Sequence, residues 1–521
     1  MISNNNLNNL FLRIIFCIFP FLLISGSFLP DLFITLTALY FLTYCFFCLN
    51  FSFFKHKLVV FFLIFYFYIN INSYFAYLPS MSFQTTLPYI RMILFSIFFA
   101  YILEKILNLK KIIFYSFLFS YIILFFDSLI QIKTGQNLLG YPIVSVRVAS
   151  LFRDKLIMGS YVARTLPILL AICYLENFKY NNFLKIFCII LAGALVFFSA
   201  ERVSLFYYIA TVIVYLVLLP NKKKIIFNFS LVFFFFLILI FFKPSSTDRL
   251  YKHTLAQINQ NNKYLFSERH EMHFLTAYEM FLDKKFLGHG IKSFRYLCDN
   301  PRYTVKEIII DNNKKFSPID GYVYFINTDA GKEKNYYVIF LTEFQKQEFE
   351  KIVDSIRNIQ TDKSNFILDE NKFKLFLVNN SIFYNELKYK VLYQKVKSAS
   401  LVKQGDYIYS YAEYENGCNT HPHSLHLQIL SELGILGYIF LFSFFIYLII
   451  LFMKNLINLN FNKKKNVPKN KSLYCVFIVL ALILSLFPVL PSGNIFNNWI
   501  LSMFYFKLAF LLHYLYFYKK L

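Results

Sequence analysis

Three histidines stand close together in the segment THPHSLHLQILSELGILG, residues 420–437, directly before an apolar run. They are His421, His423 and His426. His423 and Ser424 fall at or just before the first turn of the predicted helix, where an imidazole can accept a proton near neutral pH. A histidine at a helix start is more often a cap or an interfacial residue. Spacing alone therefore leaves a general base and a structural role both open.

Clustered histidines also raise the question of a metal site, and His270 with His273 adds a second pair. The spacing argues against metal binding. The sequence HEMH departs from the HExxH pattern of zinc proteases, Pro422 separates two of the three later histidines, and no acidic residue follows them at ligand spacing. We therefore predict no metal ion and no cofactor.

Arginines near the ends of apolar runs form the second candidate group. Arginine keeps its charge at every pH and binds phosphate through two parallel hydrogen bonds, so a set of arginines suits a pyrophosphate ligand. Arg202 has a simpler alternative, since it could pair with Glu201 or extend to lipid headgroups. The group consists of Arg91, Arg147, Arg153, Arg164, Arg202 and Arg295.

The elements that carry these residues are predicted to be membrane-spanning helices. Hydrophobic residues make up 58% of the 521 positions and fall in blocks of about twenty, the length of a helix that crosses a bilayer. The first block has no cleavage-site pattern and is taken as a helix rather than a signal peptide. About twelve spans are predicted, at residues 8–28, 30–50, 57–74, 88–104, 111–131, 158–176, 183–199, 203–219, 224–242, 426–453, 472–490 and 495–517.

The distribution of lysine predicts the orientation of these spans. Lysines cluster in alternate connections, at residues 55–57, 105–111, 179–185, 222–224 and 454–471, and positive residues stay on the cytoplasmic side. Both termini are therefore predicted to be cytoplasmic, in a bacterial inner membrane, and residues 243–425 periplasmic. Most of the net charge of +24 then faces anionic lipid, so it is no argument for nucleic acid as a partner.

The chain accordingly divides into three parts. Residues 1–242 hold helices 1–9, residues 243–425 form the large periplasmic loop, and residues 426–521 hold helices 10–12. Within the loop, SERHEMHFLTAYEMFLDKKFLGHG has helical spacing, whereas residues 301–410 mix strand-like runs with one amphipathic helical run. We expect residues 301–410 to form an α+β insert.

Two cysteines, Cys298 and Cys418, lie in the predicted periplasmic loop; the other six lie in spans. The periplasm is oxidising, so a disulfide between them is predicted. Two unpaired thiols are the alternative, which is less usual in that compartment.

Several motifs together resemble the O-antigen ligase and O-antigen polymerase superfamily. The segment at residues 420–437 is similar to its signature of a histidine, then Asn or Ser, then an apolar helix with Gln, an acidic residue and two glycines. FRDKLIMGSYVA, SAERVSL, LGHGIKSFRYLC and KQGDYIYSYAEYENGCNTHPH add to it in the same order along the chain. Ser424 stands where many members have Asn.

The resemblance implies a GT-C-like membrane glycosyltransferase that takes its glycan from an undecaprenyl-pyrophosphate donor by inverting transfer without a metal. It implies His423 as the base and Arg202 with Arg295 at the pyrophosphate. Residues expected to support them are His421, Ser424 and Glu432. Further pyrophosphate contacts are predicted for Arg91, Arg147 and Arg153.

The resemblance leaves the acceptor open. A ligase would use a sugar of the lipid A–core, a polymerase another glycan repeat unit, and a protein O-oligosaccharyltransferase a protein hydroxyl. A secondary transporter is the main hypothesis outside this class, but it predicts inverted repeats and broken helices that the sequence lacks. A catalytically inactive membrane scaffold is a further possibility.

Overall fold

The computed structural model describes most of the membrane-embedded chain and parts of the large loop. The described residues are 6–144, 146–219, 221–252, 254–255, 268–298, 300, 303, the backbone of seven strands between 308 and 413, 418–461, 469–488 and 490–518. The amphipathic helical run predicted at residues 343–359, and the strand-like runs at 373–378 and 389–396, lie largely or wholly outside them.

The described chain is mainly helical, and each predicted span coincides with a helix. The helices are α1 Asn6–Ser25, α2 Phe28–Cys48, α3 Lys57–Tyr74, α4 Pro79–Thr86, α5 Ile90–Lys105, α6 Leu109–Thr134, α7 Met158–Leu175, α8 Asn181–Ser199, α9 Arg202–Val217, α10 Lys222–Phe242, α11 Pro244–Thr247, α12 Glu268–Asp283, α13 Phe294–Leu297, α14 Leu425–Phe461, α15 Lys469–Ser485 and α16 Asn498–Phe517.

Among the described residues, nine helical segments are long and apolar enough to cross a membrane. One of them joins α4 and α5 through a 3₁₀ turn, Leu87–Tyr89. The predicted spans at 8–28, 203–219 and 472–490 are shorter helices: the apolar part of α1 begins at Leu10, and α9 and α15 have 16 and 17 residues. The protein is thus a multi-pass helical membrane protein, as the hydropathy predicted.

Strands occupy part of the predicted insert. They are β1 Ile308–Asp311, β2 Lys314–Phe316, β3 Tyr322–Asn327, β4 Asn335–Leu341, β5 Phe383–Lys388, β6 Ser400–Val402 and β7 Tyr409–Glu413. β1 and β2 pair with each other, and the other five form an antiparallel sheet in the order β5-β4-β3-β7-β6. The runs YVYFINT and YYVIFL coincide with β3 and β4, with Val323 opposite Phe340.

Helix α14 extends to 37 residues, well past the predicted span at 426–453, and it is interrupted at Gly434. Gly434 has φ +65 and ψ −169, so the carbonyl groups before it turn out of the helix. They accept hydrogen bonds from the loop: His289 N lies 3.0 Å from Ser431 O, and Gly290 N lies 2.8 Å from Glu432 O. The glycine is needed because a Cβ atom there would overlap the backbone of Phe286.

Packing between the helices brings a defined set of connections together. α15 packs against α7 and α16 against α5, while α12 of the loop packs against the first half of α14. Tyr77 N also donates to His289 O at 2.8 Å, which ties the loop to the connection after α3. The histidine segment, the loop and the turns after α1, α6, α8 and α15 therefore meet at one end.

Candidate functional site

A cavity of about 710 Å³ lies at this end of the bundle. It is built from the connections that follow α1, α6, α8 and α15, together with α13 and the segment before α14. Among the described residues, its lining includes four basic side chains, Arg147, Lys155, Arg164 and Arg295, and one acidic side chain, Glu201. Because basic groups outnumber acidic ones, the cavity favours an anionic ligand.

His421 and His423 form one wall of the cavity, with ring centroids 4.2 Å apart. Two histidines of α12 stand behind His423: His270 lies 5.2 Å and His273 5.4 Å from it, centroid to centroid. The two histidine pairs identified in the sequence thus meet in space. Across the described part of the chain, no three His, Cys, Asp or Glu side chains are arranged to hold a metal ion.

Asn419 contacts the ring of His423. Its Oδ1 accepts from Thr420 N at 2.7 Å, so its Nδ2 is the group that faces His423 Nε2, at 3.3 Å. An amide nitrogen only donates, so in this contact Nε2 of His423 is the hydrogen-bond acceptor. A general base needs such an accepting nitrogen. Burial lowers the pKa of the neighbouring His421 to about 4.

The backbone around His423 is held in an unusual conformation. His423 has φ +54, a left-handed value that is uncommon for a residue other than glycine. Its carbonyl accepts from Ser492 N at 2.7 Å, and upstream the segment is anchored by a disulfide between Cys298 and Cys418. The predicted disulfide is confirmed. Since Cys298 follows Arg295 by three residues, the bridge also fixes the histidine segment against α13.

Arg295 lies on α13 and lines the cavity. Its Nε is buried without a hydrogen-bond partner among the described residues, and so is Oγ of Ser492 in the same lining. Buried polar atoms are normally paired, so two orphaned ones in a cavity wall point to a ligand. Burial lowers the pKa of the nearby Lys292 ammonium group, and the charge of Arg295 lowers it further.

Glu432, predicted as a supporting residue, is 1% exposed and holds the loop that carries Arg295. Its Oε1 accepts from Phe294 N at 3.4 Å, and its Oε2 accepts from Gln428 Nε2 at 3.1 Å. Gln428 continues the network to Asn494 Oδ1 at 2.8 Å. Glu432 and Gln428 therefore connect α14 to two parts of the cavity lining, the α13 segment and the connection that contains Asn494.

Arg147 reaches the cavity on the connection between α6 and α7. Two buried polar residues of α6 fold this connection: Asp127 accepts from Leu138 N at 2.8 Å, and Gln131 accepts from Ser150 N at 2.8 Å. Arg147 then donates to Leu156 O at 2.9 Å, which holds its side chain at the cavity wall.

Glu201, between α8 and α9, is the acidic partner of Arg147, at 3.7 Å. It accepts hydrogen bonds from Ser204 Oγ at 2.8 Å and Gly159 N at 3.2 Å. Burial raises the pKa of the Glu201 carboxyl group, and the charge of Arg147 opposes that shift. An ion pair with Glu201 was the alternative role for Arg202. Arg147 is also a partner of Glu201, so the two arginines compete for this carboxylate.

The remaining predicted residues lie outside the cavity lining. Arg91 forms an ion pair with Asp31 at 2.6 Å, and the side chains of Arg153 and Arg202 are exposed. Ser424 is buried as a helix cap, with its Oγ accepting from Leu427 N at 3.4 Å. Of the six candidate arginines, the structure brings Arg147, Arg164 and Arg295 into one cavity lining.

His426 faces away from His423. Its Nδ1 lies 3.2 Å from Tyr438 Oη, and its Nε2 lies 2.9 Å from Leu486 O. The ring therefore joins α14 to the end of α15.

Sequence reasoning missed the wall formed by residues 491–500. This stretch supplies Pro491, Ser492, Gly493, Asn494, Asn497, Trp499 and Ile500 to the lining. In the sequence this stretch is notable only as a connection without lysine or arginine. Its run of small and amide residues, PSGNIFNN, was a usable signal, because such residues can hydrogen-bond a polar ligand.

Comparison with known proteins adds no family. No protein-family model matches this chain, and no curated protein matches it.

Proposed function

We propose that the protein is an inverting membrane glycosyltransferase that moves a glycan from a polyprenyl-pyrophosphate donor to an acceptor hydroxyl. The observation that carries the proposal is one cavity, at one end of a helical membrane bundle, that is lined by His423 and by three arginines, Arg147, Arg164 and Arg295. The resemblance of residues 420–437 to the O-antigen ligase and polymerase signature supports the same chemistry.

In the proposed reaction His423 acts as the general base. The acceptor hydroxyl takes the place of the Asn419 amide at Nε2, where the present contact is long at 3.3 Å. As the hydroxyl oxygen attacks the anomeric carbon, its proton moves to Nε2. The bond from that carbon to the pyrophosphate oxygen breaks, and the pyrophosphate leaves with the bonding electron pair. The configuration at the anomeric carbon inverts.

The basic side chains stabilise the leaving group. Negative charge grows on the pyrophosphate as the bond breaks, and donors fixed around it lower the energy of that state. Arg295 has an unpaired buried Nε to offer, and Arg147 is held by protein contacts before any ligand binds. Binding the donor therefore requires little reorganisation of these groups.

The acceptor distinguishes three forms of the proposal. We favour an O-antigen ligase, with a lipid A–core sugar as acceptor, in the bacterial inner membrane with the cavity on the periplasmic side. The polymerase and the protein O-oligosaccharyltransferase share the donor chemistry. Membrane lipid surrounds the bundle in each case.

Deleting the gene and examining the lipopolysaccharide separates these forms. The ligase predicts core without O-chain and accumulation of lipid-linked polymer, whereas the polymerase predicts core with a single repeat unit. Loss of glycan from proteins alone would indicate the third form. Unchanged glycans together with lost solute uptake would instead identify a transporter and refute the proposal.

Arg295→Lys tests the leaving-group role, with Arg202→Lys as the matched control. The first change removes bidentate geometry inside the cavity, and we expect the transfer rate to fall about 10²-fold or more. The second changes an exposed side chain outside the cavity lining, and a smaller loss is expected. Equal rates for Arg295→Lys and the wild type would exclude a bidentate contact at Arg295.

A further inference from the structure

One stretch of the cavity lining carries no charge. Residues 491–500, at the connection from α15 to α16 and the start of α16, contribute neutral groups, whereas the arginines and the lysine of the lining come from other parts of the chain. The polar side chains of this stretch in the lining are Ser492, Asn494 and Asn497, which we call the neutral wall. Because the neutral wall has no charge to hold a phosphate group, it suits an uncharged polar ligand.

Each residue of the neutral wall has a hydrogen-bonding group to offer a ligand. Ser492 Oγ is buried and has no partner among the described residues. Oδ1 of Asn494 accepts from Gln428 Nε2 at 2.8 Å, and Oδ1 of Asn497 accepts from Trp499 N at 2.9 Å. These contacts hold the two amides by their oxygen atoms. Within the described part of the chain, both Nδ2 groups therefore remain as donors.

The neutral wall lies beside the proposed base. Ser492 N donates to His423 O at 2.7 Å, so these two residues are in direct contact. His423 and the three residues of the neutral wall also line the same cavity. The acceptor hydroxyl has to reach His423 Nε2, and the groups beside His423 are therefore placed to hold the rest of the acceptor.

Trp499 adds an aromatic surface to this part of the lining. Its side chain lines the cavity, and its Nε1 donates to Leu23 O at 2.8 Å. Because the indole N–H is already paired, the part of the ring that a ligand can contact is apolar. A sugar ring has hydroxyl groups around its edge and C–H groups on its faces. A serine hydroxyl, two amides and an aromatic ring match that surface.

The same stretch is poorly suited to a peptide. A peptide that is bound along its main chain needs free backbone groups on the protein. Four backbone N–H groups of the stretch already donate to other protein atoms, namely those of Ser492, Ile495, Phe496 and Asn497. What the stretch can offer a ligand is therefore mainly its side chains.

We propose that the neutral wall is a carbohydrate subsite, which binds a sugar ring of the acceptor and holds one of its hydroxyl groups at His423. The serine hydroxyl and the two amides hydrogen-bond other hydroxyl groups of the sugar, and Trp499 contacts a face of the ring. The inference rests on the proposed function and narrows it to a carbohydrate acceptor. It thereby favours the ligase and the polymerase over transfer to protein.

The test measures binding through the fluorescence of Trp499, which is the single tryptophan of the chain. The full-length protein in phosphatidylcholine nanodiscs is titrated separately with core oligosaccharide freed of its lipid, repeat-unit oligosaccharide, a serine-containing peptide and the lipid-linked glycan donor. Asn497→Asp removes the amide donor and keeps a side-chain oxygen that caps α16. Asn498→Asp is the matched control, because it adds the same charge one residue later, outside the cavity lining.

We expect Asn497→Asp and Ser492→Ala each to raise the dissociation constant for a carbohydrate acceptor by about threefold to tenfold, the effect of one lost hydrogen bond. Asn498→Asp should leave it unchanged, and so should Ser443→Ala, which changes an exposed serine of α14. The dissociation constant of the donor should be the same for each variant as for its control. Thermal unfolding shows which variants have folded, and Ser492→Ala is the milder of the two changes.

Other outcomes overturn the inference in distinguishable ways. If the folded variants bind both oligosaccharides as tightly as the wild type, the subsite is wrong while the proposed function stands. If they weaken donor binding as much as acceptor binding, the neutral wall does not select the acceptor. If the wild type binds the peptide but neither oligosaccharide, the acceptor is a protein. If the wild type binds neither the donor nor any acceptor, the proposed function fails as well.

Discussion

Replacing His423 and His421 separately by glutamine tests which histidine is the base. The rings are 4.2 Å apart and both line the cavity, so the two variants disturb nearly the same place. Loss of a general base lowers a rate by about 10² to 10⁴. We expect that loss in kcat for His423→Gln and less than about a tenfold loss for His421→Gln.

The pH profile distinguishes the two residues further. With a pKa of about 4, His421 is protonated in only about one molecule in a thousand at pH 7, and it stays mainly neutral down to about pH 5. A fall in activity between pH 7 and pH 5 therefore cannot come from His421. His421→Gln should therefore leave the pH dependence of the rate between pH 7 and pH 5 unchanged.

The assay follows transfer of a glycan from undecaprenyl pyrophosphate to purified acceptor, with the protein in nanodiscs. His423→Ala supplies a second readout, because imidazole added to the buffer should restore part of its rate if only the base is missing. Normal turnover by His423→Gln, or a larger loss in His421→Gln than in His423→Gln, would refute the assignment.

Three further changes probe how the site is held. Replacing Cys298 and Cys418 by serine opens a bridge between residues 120 apart, a loop-closure effect of about 4 to 5 kcal/mol, so thermal stability should fall and lose its sensitivity to reductant. Gly434→Ala should impair folding through backbone overlap, whereas Gly140→Ala, also at positive φ but in open space, should cost about 1 kcal/mol by thermal unfolding. Because the pKa of His421 lies below its ordinary value, acidification from about pH 6.5 to pH 4 protonates the unfolded chain first, and stability should fall less in His421→Gln.

The helices of this protein could be found from the sequence. In a bilayer each apolar segment must satisfy its own backbone hydrogen bonds. Apolar blocks of about twenty residues therefore indicate the membrane-spanning helices directly. The disulfide was also within reach, because cysteines outside the predicted spans were confined to Cys298 and Cys418. The break in α14 could not be predicted from the sequence. Gly434 departs from helical geometry where α14 hydrogen-bonds to a loop more than 140 residues earlier in the chain.

For the site, sequence determined the residue types and tertiary structure decided which of them meet. Histidine and arginine near helix ends indicated a base and an anion site. The residue pattern alone could not tell which of these arginines line the site. Folding of the α6–α7 connection brought Arg147 to the cavity and left Arg153 exposed, and the connection between α15 and α16 brought Ser492 into contact with His423. Hydropathy depends on local composition, whereas a cavity depends on contacts between residues hundreds of positions apart.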